Sequence, residues 1–292
     1  SKVTKARVHA YKKRLTYVDH SIIIGILVAI IAVSGFLLYS MLNSPPEQTP
    51  INPTLQFTTD NPNPQLKAAI VDHLSLTAPN QTFIQTATNT LKQAGYTVDY
   101  YSGEQVTVKF YRNLPTHGYK LIILRVHSAL MEGTSPPVIL FTSESYDKTK
   151  YVYEQLVEQL MVVSYASEER ERGTRYFGIG PLFVSQSMKN VFQNTVIIMM
   201  GCNGLAYTET AEAFIKKGAK VYISWAGAVS ASHTDLTTAY LLQHFLIEKR
   251  TLKESVLRTF KEVGPDSCSK NLLIYYPLEV GEQTIENITD QN

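Results

Sequence analysis

Short apolar runs alternate with amphipathic stretches from residue 66 to residue 280, and this alternation predicts an α/β domain. Runs of strand length occupy residues 68–71, 97–101, 121–126, 138–142, 196–201, 220–225 and 272–276. Helical spacing of apolar residues follows in residues 83–94, 209–217, 236–249 and 252–263. Strands separated by helices favour a mostly parallel sheet with helices on both faces.

The segment 147–190 is less regular. Residues 150–165 have the composition of a helix, and residues 168–172 form a charged stretch that suits solvent. The sequence 178–184, which begins at a Gly-Pro turn, is predicted to form an extra arm beside the sheet.

The N-terminal part has a different pattern from the rest. Residues 22–42 are uncharged and apolar, and at about 1.5 Å per residue such a stretch spans roughly 30 Å. This predicts a transmembrane helix at 21–42. The basic residues of the tail 1–20 then favour a cytoplasmic N-terminus and a globular part outside the cell. A cleaved signal peptide is the alternative, although its apolar region is usually shorter.

Polar segments border the predicted α/β domain, 66–280, on both sides. Residues 43–65 are rich in proline, asparagine and threonine, which favours an extended spacer. Residues 281–292 are mostly polar and are predicted to be a tail.

Composition and charge narrow the class of protein. The 292 residues include 27 lysines and arginines and 25 aspartates and glutamates, for a net charge of +2. No basic stripe suggests nucleic-acid binding. With 2 cysteines, Cys202 and Cys268, either one disulfide or two thiols are present. Asn80 and Asn287 begin Asn-X-Thr tripeptides, which would suit an exported protein.

Two strand ends carry the most informative chemistry. His127 follows the run 121–126, and Cys202 follows the run 196–201. If these strands are parallel neighbours, an imidazole and a thiol meet at the sheet edge where such folds place their ligands. A thiol beside an imidazole suits nucleophilic acyl transfer, with the thiolate attacking and the imidazole carrying the proton. The backbone N–H groups of Ser128 and Cys202 would bind the developing oxyanion.

These motifs resemble the caspase-like clan of cysteine peptidases, which includes caspases, legumain, gingipain, clostripain, separase and CHAT domains. In that clan one strand ends in His-Gly and a later strand ends in Ala-Cys, often with a glycine soon after. Here His127-Ser128 resembles the first motif and Gly201-Cys202-Asn203-Gly204 resembles the second. Ser128 and Gly201 depart from the pattern, since the clan has glycine and alanine there.

The resemblance implies a caspase-like three-layer α/β sandwich and peptide-bond hydrolysis by a His127/Cys202 dyad. The predicted protein is therefore a membrane-anchored, extracytoplasmic cysteine endopeptidase that acts on polypeptides without a metal or another cofactor. In the clan, the strand after the cysteine lines part of the substrate pocket. The corresponding candidates are Ser224, Trp225 and Asp235, together with Asp72; an acid there would favour a lysine or arginine side chain of the substrate.

Three alternatives remain open from the sequence. A disulfide between Cys202 and Cys268 would consume the nucleophile. His73, His127, His233 and Asp235 lie near predicted strand ends and have ligand atoms that suit zinc, although they lack the spacing of a dedicated metal motif. Finally, because Ser128 stands in place of glycine, the same fold could be a catalytically inactive domain that binds a peptide or a surface partner.

Overall fold

A computed structural model describes residues 66–131, 136–165, 175–266 and 269–290. These ranges fall almost entirely in one compact unit, Asp60–Val163 with Arg175–Asn292. The predicted tail 1–20, transmembrane segment 21–42 and spacer 43–65 lie outside the described residues.

The strands form two sheets. The strands are β1 Lys67–Asp72, β2 Thr97–Ser102, β3 Leu121–Arg125, β4 Ser128–Leu130, β5 Val138–Ser145, β6 Leu160–Val163, β7 Tyr176–Ile179, β8 Thr195–Met199, β9 Ala219–Trp225 and β10 Leu273–Tyr276. The main sheet has 6 strands in the order β10-β9-β8-β3-β1-β2, and the smaller one has 4 in the order β4-β5-β7-β6. In the main sheet only β10 runs antiparallel to its neighbour, whereas the smaller sheet is antiparallel throughout.

Helices cover the main sheet. They are α1 Gln81–Gln93, α2 Val108–Asn113, α3 Val152–Leu156, α4 Glu209–Lys216, α5 Ala231–Leu242, α6 Leu252–Val263 and α7 Ile285–Thr289. Short 3-10 turns occupy His73–Leu76, Gly103–Gln105, Leu114–His117 and Leu278–Glu282, and π turns occupy Phe183–Ser187 and Gln243–Ile247. Asn80, Thr107, Ser230, Thr251 and Thr284 cap helices with side-chain oxygens, which satisfies amide groups that lack helical partners.

The main sheet is buried on both faces, and this explains why its central strands are continuous apolar runs. In β3, Ile122 and Leu124 pack with β5, β7 and α4, whereas Leu121 and Ile123 pack with α1, α5 and α7 on the opposite face. Successive side chains of a strand point to opposite faces, so an apolar residue is needed at every position. Large apolar cores on both sides stabilise the sheet edge that carries the candidate site.

The mixed α/β class with a mostly parallel sheet agrees with the prediction, but the predicted fold class needs a correction. It included a helix that crosses a membrane, and none of the helices in the described ranges is long and apolar enough to do so.

Three local predictions also differ from the structure. Residues 138–142 belong to β5 in the smaller sheet, because the connection from β4 is too short for a parallel crossover. The helix predicted at 150–165 is only α3; Glu158 has φ 56° and the β-branched run of β6 follows. Finally, 281–292 was predicted as a polar tail, but α7 buries Ile285 and Ile288 in the core.

Candidate functional site

The site lies at the carboxyl ends of β1, β3 and β8, which are adjacent and parallel. In the main sheet, β2 is added on one side of β1, whereas β3 and the later strands are added on the other side. The direction in which strands are added therefore reverses between β1 and β3. Open α/β sheets bind ligands in the crevice at such a reversal. His73 follows β1, His127 follows β3 and Cys202 follows β8, so all three residues of interest come to this edge.

The segments that carry His127 and Cys202 are in contact. The hydroxyl of Ser128 donates to the carbonyl oxygen of Cys202 over 2.5 Å. A Cβ atom at Gly201 would collide with the carbonyl oxygen of Val126 and would lie 2.6 Å from the hydroxyl of Ser128. Only glycine therefore allows the two strand ends to approach this closely.

His127 is half-buried and held by the turn after β1. Its Nε2 lies 2.8 Å from the hydroxyl of Thr77, and its ring centroid lies 5.9 Å from that of His73 and 6.0 Å from that of Phe141. Burial, together with the nearby His73 and Arg125, lowers the pKa of His127 from 6.5 to about 3. The imidazole is therefore neutral at pH 7.

His73 is fully buried beside it. The pKa of His73 is lowered from 6.5 to about 4, because the effect of burial exceeds that of a hydrogen bond with the backbone of Thr142, which raises the pKa. The site thus contains two neutral imidazoles, only one of which is half-exposed. His73 packs edge-on against His127 and helps to fix the orientation of that ring.

Cys202 has a free thiol that is half-buried. Its Sγ lies 3.5 Å from both the carbonyl oxygen and the amide nitrogen of Val229, so the thiol donates to one group and accepts from the other. Burial raises the pKa of Cys202; the amide of Val229 opposes this shift and the charge of Asp266 adds to it. The sequence suggested a thiolate beside the imidazole, whereas the structure holds a protonated thiol against Val229.

The two predicted oxyanion donors are available. Ser128 lies opposite Leu140, and the N–H of Phe141 donates to the carbonyl oxygen of His127 over 3.0 Å. This pattern makes Ser128–Leu140 a pair without ladder hydrogen bonds, so the N–H of Ser128 points away from β5. Within the described ranges, the N–H of Cys202 likewise donates to no other protein group.

The carboxylates proposed for the substrate pocket are instead bound to Arg125. Its guanidinium donates to Asp72 Oδ1 over 2.7 Å and to Asp235 Oδ1 and Oδ2 over 2.7 and 2.8 Å. All three side chains are buried. Despite the opposing effect of burial, the two carboxylates raise the pKa of Arg125. Asp72 and Asp235 therefore form a structural ion pair with the protein's own cation rather than a pocket for a substrate cation.

The other two predicted pocket residues are also buried. The hydroxyl of Ser224 donates to the carbonyl oxygen of Met199 over 2.6 Å, and the indole of Trp225 donates to the hydroxyl of Thr234 over 2.9 Å. Neither polar group faces solvent, so both side chains stabilise the end of β9.

The residues weighed as metal ligands do not converge. Asp235 is bound to Arg125, and the ring of His233 packs at 5.4 Å from that of Trp225. In the parts of the chain that the structure describes, no group of three or more histidine, cysteine or acidic residues could hold a metal ion. Cys268, the possible disulfide partner of Cys202, lies outside the described residues.

Three residues that shape the site were missed in the sequence. Arg125 carried a signal, because a charge inside an apolar strand has to be buried with partners. Thr77 and Val229 carried none, since a threonine in a turn and a backbone contact have no characteristic pattern. Asn80 also has a structural role: its amide donates to Asp235 over 2.8 Å, so this Asn-X-Thr asparagine is already engaged inside the fold.

Comparisons with known proteins give a limited result. No family model matches the chain, and no curated protein matches it. Among solved structures, a match is the crystal structure of the Arg-specific cysteine proteinase gingipain R, with a TM-score of 0.41 and 15% sequence identity. The match covers 77% of this chain and 45% of the gingipain chain, so this chain corresponds to less than half of that protein.

Proposed function

We propose that the domain is a cysteine peptidase in which Cys202 is the nucleophile and His127 the proton carrier. The observation that supports this most directly is the contact between the two strand ends, Ser128 to Cys202, at the reversal point of the sheet. It brings a free thiol, a neutral imidazole and two available N–H groups to one edge. These are the parts that acyl transfer needs.

The reaction would use each part in turn. We assign to His127 the tautomer in which Nε2 carries the hydrogen and donates it to Thr77, and Nδ1 accepts the thiol proton during the reaction. Sγ of Cys202 attacks the substrate carbonyl carbon, and the oxyanion binds the N–H groups of Ser128 and Cys202. His127 then passes the proton to the leaving amine, and a thioester with Cys202 forms. A water molecule, deprotonated by His127, hydrolyses the thioester and restores the thiol.

Labelling by an electrophilic peptide probe tests this proposal, and the chain offers a matched control. Cys202→Ala in the full chain should abolish both probe labelling and cleavage of a peptide library. Cys268→Ser, the equivalent removal of the other thiol, should leave both unchanged. Labelling of Cys202→Ala at the rate of the unmodified chain would contradict the assignment.

A second candidate is a peptide-binding domain without catalytic activity. The raised pKa of Cys202 and the hydrogen bond from its thiol to the carbonyl oxygen of Val229 favour it, because they disfavour proton transfer in the resting state. If the domain only binds peptides, a peptide should bind to the unmodified chain and to Cys202→Ser with equal affinity. Neither chain should hydrolyse any peptide of the library.

A further inference from the structure

A loop on the far side of Cys202 from His127's strand holds the sulfur atom. Residues 227–230, here called the thiol loop, connect β9 to α5 and contain Val229, whose backbone contacts Sγ at 3.5 Å on both the donor and the acceptor side. The amide of Asn203 also donates to the carbonyl oxygen of Gly227 over 2.8 Å. The thiol loop is therefore joined to the nucleophile's own turn at two places.

The thiol loop is itself fixed from the segment between α6 and β10. Asp266 Oδ2 accepts from the amide and the hydroxyl of Ser230 over 3.1 and 2.7 Å. Its Oδ1 accepts from the amide and the hydroxyl of Ser269 over 3.0 and 3.1 Å. Asp266 is only 1% exposed, so hydrogen bonds from Ser230 and Ser269 replace water around this carboxylate.

Two further contacts complete the connection. The hydroxyl of Ser269 and the side-chain amide of Asn271 both donate to the carbonyl oxygen of Ala228, over 2.6 and 2.9 Å. Asn271 also fills the space beside Gly227, where a Cβ atom would collide with it. The residue before Val229 and the residue after it are thus both anchored to the same neighbouring segment.

We propose that Asp266 is a positioning residue that keeps the sulfur of Cys202 against Val229 in the resting protein, acting through Ser230, Ser269 and the thiol loop. The inference rests on the proposed function only in calling Cys202 a nucleophile. The thiol of Cys202 donates its hydrogen to the carbonyl oxygen of Val229. This hydrogen bond has to break before the thiol can give its proton to His127. Loosening the thiol loop therefore increases the reactivity of the thiol.

Asp266 also acts on the thiol through its charge. The buried charge of Asp266 raises the pKa of Cys202, in addition to the larger effect of burial. His127 and His73, at the same sheet edge, are both neutral at pH 7. Arg125 is neutralised by Asp72 and Asp235. Among the described residues, Asp266 is therefore the charged side chain that raises the pKa of the thiol.

Alkylation of Cys202 by iodoacetamide tests the inference without any need for peptide hydrolysis. In a full chain that carries Cys268→Ser, we expect Asp266→Asn to raise the alkylation rate at pH 7 by about tenfold, because removing the buried charge lowers the pKa of the thiol. The midpoint of the rate against pH should fall accordingly. Ser185→Ala, whose hydroxyl donates to backbone carbonyl oxygens in another segment, should leave this midpoint unchanged.

Milder variants keep the test decisive if Asp266→Asn does not fold. Ser269→Ala removes a hydroxyl that is shared between Ala228 and Asp266, and Asn271→Ala removes one hydrogen bond to Ala228. Each should raise the rate by about threefold or more, as expected for a net hydrogen bond of about 1 kcal/mol. Ser185→Ala is the matched control, because its hydroxyl also donates to backbone carbonyls but far from the site. Rates in all loop variants equal to that of Ser185→Ala would overturn the inference. Faster alkylation in a protein that hydrolyses no peptide would support it and reject only the peptidase function.

Discussion

The buried ion pair around Arg125 gives the sharpest prediction on stability. Arg125→Met replaces the guanidinium by an apolar chain of similar length. It leaves Asp72 and Asp235, 1% and 4% exposed, without their cation, and the carbonyl oxygen of Ala78 loses a donor at 2.7 Å. Removing one partner of a buried ion pair costs about 3–5 kcal/mol. Since folded domains are stable by only about 5–15 kcal/mol, the loss should be large.

Urea denaturation followed by tryptophan fluorescence measures this loss. The chain contains 1 tryptophan, and Trp225 is buried next to the segment that carries Asp235. The matched control is Lys253→Met, which removes a cation from an ion pair of the same length, 2.7 Å, whose side chains are 54% and 71% exposed. Exposed pairs contribute little, so the control should unfold at an unchanged urea concentration.

A third variant separates charge from packing. Replacing Arg125, Asp72 and Asp235 together by Met, Leu and Leu should recover most of the stability, because an apolar core of similar volume does not pay for desolvation. If Arg125→Met loses less than about 1 kcal/mol, the carboxylates are not held as buried charges and the interpretation of Asp72 and Asp235 as structural residues is wrong.

Three other predictions concern the site itself. Thr77→Val should lower kcat/KM for peptide cleavage about fivefold to tenfold, because it removes the hydrogen bond that orients His127. Thr77→Ser keeps the hydroxyl and should retain the original kcat/KM. Equal values of kcat/KM for all three chains would show that the hydroxyl has no such role. His73 has a pKa of about 4 in the folded protein against 6.5 when unfolded, so the unfolded state takes up a proton first and stability should fall as the pH drops from 6.5 to 4. His73→Phe should reduce that loss by up to roughly 3 kcal/mol, measured as the difference in urea midpoints across this range, and an unchanged pH dependence would refute burial as its cause. Gly201→Ala should cost about 1–3 kcal/mol and slow probe labelling of Cys202, because the added methyl group separates the strand ends; labelling at the original rate would refute their close contact.

The sequence predicted the central strands of the main sheet well because they are buried on both faces. Such strands are mostly apolar, and the places where β3 and β8 end were visible from the end of each apolar run. The polar chemistry that follows each run, His127 and Cys202, could therefore be placed at one edge.

The smaller sheet and the pocket could not be predicted in the same way. β5 has the same apolar pattern as the main strands, and only its pairing with β4 and β7 assigns it to another sheet. Pairing depends on contacts distant in sequence, which periodicity does not report. Asp72 and Asp235 were interpreted as acids for a substrate because Arg125, their partner, was counted as part of an apolar strand.

The state of the thiol was also beyond the sequence. A cysteine beside a histidine suggests a thiolate, yet the pKa of Cys202 depends on burial, on Val229 and on Asp266, which is far from Cys202 in the sequence. These contacts are set by how two loops pack together. Residue types predicted which groups meet at the sheet edge, whereas packing determined the protonation state in which they meet.

The cooperation of His127 with Cys202 is tested most directly by trapping the thioester. The full chain is mixed with a peptide ester, quenched in acid and analysed by intact mass and peptide mapping. We predict an acyl group on Cys202 that disappears in His127→Gln, while simple alkylation of Cys202 by iodoacetamide persists in that variant. An acyl group that forms equally fast without His127, or that maps to another residue, would contradict the account.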